Sequence, residues 1–347
     1  MTLSRLLYSF GALLALSGPA LVTGAAADDM DTCHDASGDA AIAACARAIN
    51  SGRLTGNDLA SAYYNRGIEY DAKGDSDRAI ADFNEAIRLN PKSANTYNNR
   101  CKAYNDKGDH DHAIADCDDA IRLSPSFAFA YFNRGVAYRH KGDLDRAIAD
   151  YDQAIRLDPK YLEAYNNRCK TYGDKGDTDH AIADCSEAIR LNANYALAYV
   201  NRGSAYSKAH DLDHAIADYD QAIRLDPNAA STYNDRGIAY RNKGDLDHAI
   251  ADYDQAIRLD PKFFFAYDNR GIAYRSKGNL DHALADYDQA IGLNPRFVDA
   301  YINRGNAHAS KRELDRAIAD YDQAIRLDPN ASLAIKNRAI AVSMQKH

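Results

Sequence analysis

The sequence predicts an all-α solenoid of stacked helix-turn-helix units, and three observations carry that prediction. An arginine returns every 34 residues, from Arg66 through Arg100, Arg134, Arg168, Arg202, Arg236, Arg270 and Arg304 to Arg338. Seven of the eight prolines (Pro91, Pro125, Pro159, Pro227, Pro261, Pro295, Pro329) hold one place relative to it, and Ala193 fills the missing slot. Between these markers apolar residues fall three and four apart, as on one helix face. A fixed period of this length means two-element units that stack on their neighbours, not one globule. With 46% hydrophobic and 27% charged residues the chain is neither disordered nor an integral membrane protein. Its net charge of −8 argues against a general nucleic-acid binder, which needs a basic face.

The first 27 residues stand apart from the repeats. One positive charge at Arg5, an apolar stretch over 6–22 and Ala25-Ala26-Ala27 before Asp28 are the parts of a secretory signal peptide with its cleavage site. The expectation is an exported chain, periplasmic or secreted, with no membrane span once residues 1–27 are removed. Residues 28–59 are expected to form an N-terminal segment with a lone capping helix over 38–50.

Residues 128–161 illustrate one unit. Tyr131, Arg134, Gly135 and Tyr138 make one stripe of a first helix. Lys141-Gly142-Asp143 breaks it, with Gly suited to the helix end and Asp143 to the next N-cap. Ala147, Ile148, Tyr151, Ala154 and Ile155 form the stripe of a second helix, and Pro159 ends it. Helices of about 12 to 13 residues are near 19 Å long. One such hairpin cannot bury its own stripe, so stacking must supply the core.

These residues resemble the tetratricopeptide repeat (TPR). That family's unit carries an aromatic, a small residue, Tyr, Ala, an aromatic, Ala and Pro where this chain has Tyr131, Gly135, Tyr138, Ala147, Tyr151, Ala154 and Pro159. Eight units follow in phase: 60–93, 94–127, 128–161, 162–195, 196–229, 230–263, 264–297 and 298–331. Residues 332–347 resemble one closing helix. The resemblance implies a right-handed α-solenoid of about eight TPR units with a closing C-terminal helix. It further implies that the first helix of each unit lines a concave side where a peptide or protein is held. Arg134 and its equivalents depart from the family's usual Leu. His210 replaces the interhelix Gly of the fifth unit, which predicts a strained turn.

The six cysteines occupy paired positions. Cys101 and Cys117 are 16 apart, as are Cys169 and Cys185, where other units hold Gly with an aromatic, such as Gly67 with Phe83. In an oxidising compartment they are expected to form disulfides, with Cys33–Cys45 as a third. The alternative is six buried free thiols. No Cys-x-x-Cys or Cys/His cluster marks a metal site, and no cofactor is expected.

Three polar ladders accompany the repeat. An aspartate ladder on the second helices, Asp82 to Asp320, matches the arginines and predicts a structural ion-pair network. The alternative is an arginine row that reads anionic groups. Asn65, Asn99, Asn133, Asn167, Asn201, Asp235, Asn269 and Asn303 precede each arginine. In TPR proteins this position often faces the groove, and an amide both donates and accepts, which suits an extended main chain. The alternative is a solvated polar face. His112, His180, His214, His248 and His282 exchange with Arg78 and Arg146 and so read as surface cations near a helix start.

No phosphate loop, metalloprotease motif or nucleophile elbow occurs. The expected function is a non-catalytic scaffold that holds a protein or peptide in the groove. Groove residues vary between units, with Phe129, Phe132 and Val136, Asn166, Val200, Phe265 and Asp268 as candidates, and Lys102 and Lys170 as cationic points. The alternative is a cell-envelope scaffold that works through its convex face or its ends.

Overall fold

The structure, a computed structural model, describes residues 25–345, so the signal-peptide expectation lies outside the described residues over 1–24. The chain divides into two compact units, Met1–Lys141 and Gly142–His347. The first holds α1 (Ala25–Asp35), α2 (Asp39–Asn50), α3 (Gly56–Ala72), α4 (Ser76–Leu89), α5 (Ala94–Lys107), α6 (His110–Leu123) and α7 (Ala128–His140). The second holds α8 (Leu144–Leu157), α9 (Leu162–Lys175), α10 (Thr178–Leu191), α11 (Ala196–Lys208), α12 (Leu212–Leu225) and α13 (Ala230–Lys243). It continues with α14 (Leu246–Leu259), α15 (Phe264–Ser276), α16 (Leu280–Leu293), α17 (Val298–Ser310), α18 (Leu314–Leu327) and α19 (Ser332–Gln345). Each unit is an all-α stack in which consecutive helices pack as antiparallel pairs and the first helices of successive repeats lie side by side. No described helix is long and apolar enough to cross a membrane.

The turns follow from local chemistry. Asp75, Asp109, Asp177, Asp211 and Asp245 each accept the backbone N–H three residues on, which fixes the start of the second helix. Gly108, Gly176 and Gly244 end first helices in the left-handed conformation. His210 (φ 60°) and Arg312 (φ 63°) hold the same left-handed backbone without glycine, a strain of about 1 kcal/mol each. The first was expected from the sequence and the second was not.

The N-terminal segment departs from the expected lone helix. The stretch over 38–50 is α2, and α1 packs beside it through Cys33, Cys45, Ala44 and Ala48. The helix α3 starts at Gly56, ahead of the expected unit boundary at 60, and runs 17 residues.

The repeat core is built from alanine and one aromatic ring. Ala249, Tyr253 and Ala273 are fully buried together, as are Ala283, Tyr287 and Ala307. A Cβ on Gly237 would meet Tyr253 Cε1 at 2.7 Å, and one on Gly271 would meet Tyr287 Cε1 at 2.6 Å. Where the ring is absent the small slot holds sulfur. Cys101 and Cys117 lie at disulfide distance with Cα atoms 5.6 Å apart, Cys169 and Cys185 with 5.4 Å, and Cys33 and Cys45 with 4.7 Å.

The arginine ladder joins three helices at a time. Arg66, Arg100, Arg168, Arg202, Arg236, Arg270 and Arg304 each donate through Nε and Nη2 to both oxygens of Asp82, Asp116, Asp184, Asp218, Asp252, Asp286 and Asp320 in their own repeat. The Nε bonds are 2.6–3.0 Å. The Nη2 bonds are 2.5–2.7 Å. The remaining Nη1 reaches back to the preceding second helix, as Arg236 does to Asp220 at 2.6 Å and Arg202 to Ser186 at 2.9 Å. Each guanidinium also lies 5.5–5.6 Å from a tyrosine ring centroid three residues earlier, as for Arg168 over Tyr165. The network is structural, with its donors engaged inside the fold and not held out for an anionic ligand.

Candidate functional site

The amide ladder lies on the first helices, at α3 (Asn65), α5, α7, α9, α11, α13 (Asp235), α15 and α17, half-buried at every position. Its amide nitrogens tie neighbouring repeats together. Asn99 donates to Tyr64 Oη at 3.1 Å, Asn133 to Asn98 Oδ1 at 2.9 Å, and Asn201 to Asn166 Oδ1 at 2.9 Å. Asn269 donates to Asn234 Oδ1 at 3.0 Å, and Asn303 to both oxygens of Asp268 at 3.0 and 3.2 Å. Asn167 turns onto its own helix, donating to the Glu163 carbonyl at 2.9 Å. Asp235 has no nitrogen to give and accepts from Asn234 at 3.4 Å. Each linked amide is therefore engaged with a residue on the preceding first helix, Asn303 with both oxygens of its partner. The sequence placed the ladder on one helix position but did not show its acceptor, 35 residues earlier on the preceding first helix.

The other candidates divide. Lys102 is bracketed by Asp71 and Asp106, each at 2.8 Å, whereas Lys170 is exposed. His112, His180, His214 and His248 bond through Nδ1 to the N-cap aspartates at 2.7–2.8 Å and stack on tyrosine at 5.0–5.1 Å. Arg78 makes the same pair of contacts with Asp75 and Tyr70, so the two residue types exchange at one helix-start position.

A cavity of about 320 Å³ opens between α15, α17 and α19. Its walls are Phe265, Ile272, Phe297, Ile302 and Leu333, with Asp268 and Asp299 among them. Phe265 is 46% exposed, and its ring packs 5.3 Å from Phe297 and 4.1 Å from Phe264. Asp268 is 6% exposed. Burial pushes its carboxyl up to about 6, against the lowering effect of the Asn303 hydrogen bond. Burial raises Asp235 to about 6 as well.

These two carboxyls set a pH dependence. Their folded values lie above the unfolded value of about 3.9, so the neutral forms fit the fold. The stability they contribute is complete below that value and is lost as pH rises through about 6. Asp268→Asn keeps an acceptor for Asn303 and removes the charge. It is expected to raise stability by about 3 kcal/mol at pH 8 and to change little at pH 4. Thermal unfolding at the two pH values measures this, and equal midpoints at pH 8 would refute it.

Family models described as tetratricopeptide repeat match residues 60–93, 128–161, 196–229 and 230–263, residues 94–127 and 162–195, and residues 269–332. No curated protein matches the sequence. Among solved structures, that of the APC/C hetero-tetramer Cut9-Hcn1 is similar with a TM-score of 0.60 at 18% identity. It covers 86% of this chain, and the chain spans 59% of its length. A tetratricopeptide repeat protein from Parabacteroides merdae gives a TM-score of 0.59 at 21% identity, covering 72% of this chain and 98% of its own. MamA is 33% identical over 46% of this chain and 94% of its own, with a TM-score of 0.43. The first two likenesses show the fold.

Proposed function

Because the chain belongs to the tetratricopeptide-repeat family, we propose that it is a non-catalytic interaction scaffold that holds an extended segment of a partner protein along its first helices. The observation that carries this reading is the ladder itself. Within each compact unit successive first helices lie side by side, and each repeat has a half-buried amide or carboxylate at the same place on its first helix. An Asn amide has two N–H donors and an acceptor oxygen, more than one inter-repeat bond uses, and a main chain offers carbonyls at regular intervals. The three cysteine pairs leave no free thiol, which favours an exported, oxidising setting, periplasm or exterior. The end formed by α19 supports a second reading, a scaffold joined through its end, because Leu333, Ile335, Ile340 and Met344 are exposed there.

The test is a crosslinking pull-down from envelope extract with the chain from Asp28 as bait, beside Asn133→Ala, Asn167→Ala and Asn201→Ala combined. The expected result is a partner captured by the first and lost by the second, with the variant's circular dichroism unchanged. Equal capture by both would move the interaction off the ladder and favour the α19 end.

A further inference from the structure

We propose that the cavity between α15, α17 and α19 receives a basic side chain, lysine or arginine, from the bound segment, a specificity that rests on the scaffold reading above. Asp268 carries the inference. Its place in the repeat is held in three other units by Asn98, Asn166 and Asn234, which accept the next repeat's amide at 2.9, 2.9 and 3.0 Å. Asp268 accepts the same bond from Asn303. Phe132, Val200 and Ile302 fill the same place in other units, so the architecture is served there by a neutral amide or an apolar side chain and has no use for a full charge, least of all one that is 6% exposed and unfavourable to bury. Asp299 adds a second carboxylate at the same mouth.

The nearest cations do not take up that charge. Arg241 and Arg275 act on Asp268 only through space, and Arg241 Nη1 donates to Asn269 Oδ1 at 3.0 Å. The walls supply the rest of the complement. Ile272, Ile302 and Leu333 suit the methylene stem of a long basic side chain, which buries its carbons while its head stays polar. Phe265 and Phe297 put two aromatic rings in the wall, and a ring face attracts a cation. A purely apolar side chain would fill the volume and leave Asp268 buried against it.

The experiment uses the full chain with 13C-labelled isoleucine methyls, since Ile272 and Ile302 line the cavity. The probes are N-acetyl-lysine-N-methylamide and its neutral analogue without the ammonium group, N-acetyl-norleucine-N-methylamide. The expected result is saturable shifts of both methyls with lysine, about tenfold weaker binding of norleucine, and about tenfold loss of lysine binding in Asp268→Asn, each worth 1.4 kcal/mol. Norleucine binding as well as lysine, lysine binding undiminished in Asp268→Asn, or no shift with either probe would each overturn the proposal. Phe265→Ala is expected to weaken both probes, and Asp268→Asn only lysine. The combined Asn133, Asn167 and Asn201 variant is expected to bind the lysine probe normally, so a failed pull-down with an intact lysine site separates this inference from the ladder reading.

Discussion

Arg168→Met is expected to destabilise the chain by about 3–5 kcal/mol, the effect of breaking a buried ion pair from one side. Arg168 Nε and Nη2 bond Asp184 at 2.7 and 2.6 Å, and Nη1 bonds Asp152 at 2.5 Å. Its side chain is 17% exposed and that of Asp184 is 10% exposed. Burial raises the Asp184 carboxyl, against the lowering effect of Arg168. Methionine fills much of the volume and leaves that carboxylate with no counter-charge. Adding Asp184→Leu removes the stranded charge, so the double variant is expected to recover much of the loss. Thermal and denaturant unfolding measure both. A single variant within about 0.5 kcal/mol of the parent would show that packing, and not the ion pairs, holds the repeats.

Cys169→Ser with Cys185→Ser is expected to cost about 3 kcal/mol, the entropic worth of closing a loop of this length. Reduction of the parent by dithiothreitol opens all three cross-links and should produce a larger fall. The informative comparison is Cys169→Gly with Cys185→Tyr. That pair installs the arrangement of Gly237 with Tyr253, in which the ring covers a glycine too close for any Cβ. It is expected to retain most of the stability, since it fills the same gap with buried aromatic area. Equal losses in both double variants would mean that these repeats depend on the cross-link itself.

The repeat made most of this fold legible. The fixed period, the prolines and the glycine breaks located the helix pairs, because those signals act within a few residues of one another. The Gly–aromatic and Cys–Cys alternation predicted which residues face each other within a repeat, since a Cβ and a ring cannot share one gap. Contacts between repeats were harder to read. The Asn133 amide meets Asn98, and Asn303 meets Asp268, through the angle at which one first helix lies on the next, and the period does not state that angle. The helix α1 was missed because its residues fall outside the repeat, so nothing in the pattern announced a partner for α2. The cavity at Phe265 and Leu333 was half visible: Phe265 and Asp268 were candidates, but the closing helix was not seen as one of its walls.

The arginine bridges have a constant reach, sixteen residues forward and sixteen back, as from Arg236 to Asp252 and Asp220. The segments Leu212–Leu225 and Leu246–Leu259 are identical in sequence. Loss or gain of one whole unit here would therefore re-form each bridge with the same chemistry on both sides of the join. A loss one residue shorter would rotate the junction helix by about 100° and strand its arginine. Recombination between such copies can lengthen or shorten the protein in whole steps at little penalty. The number of repeats is then a quantity evolution adjusts by counting modules and not by remodelling them.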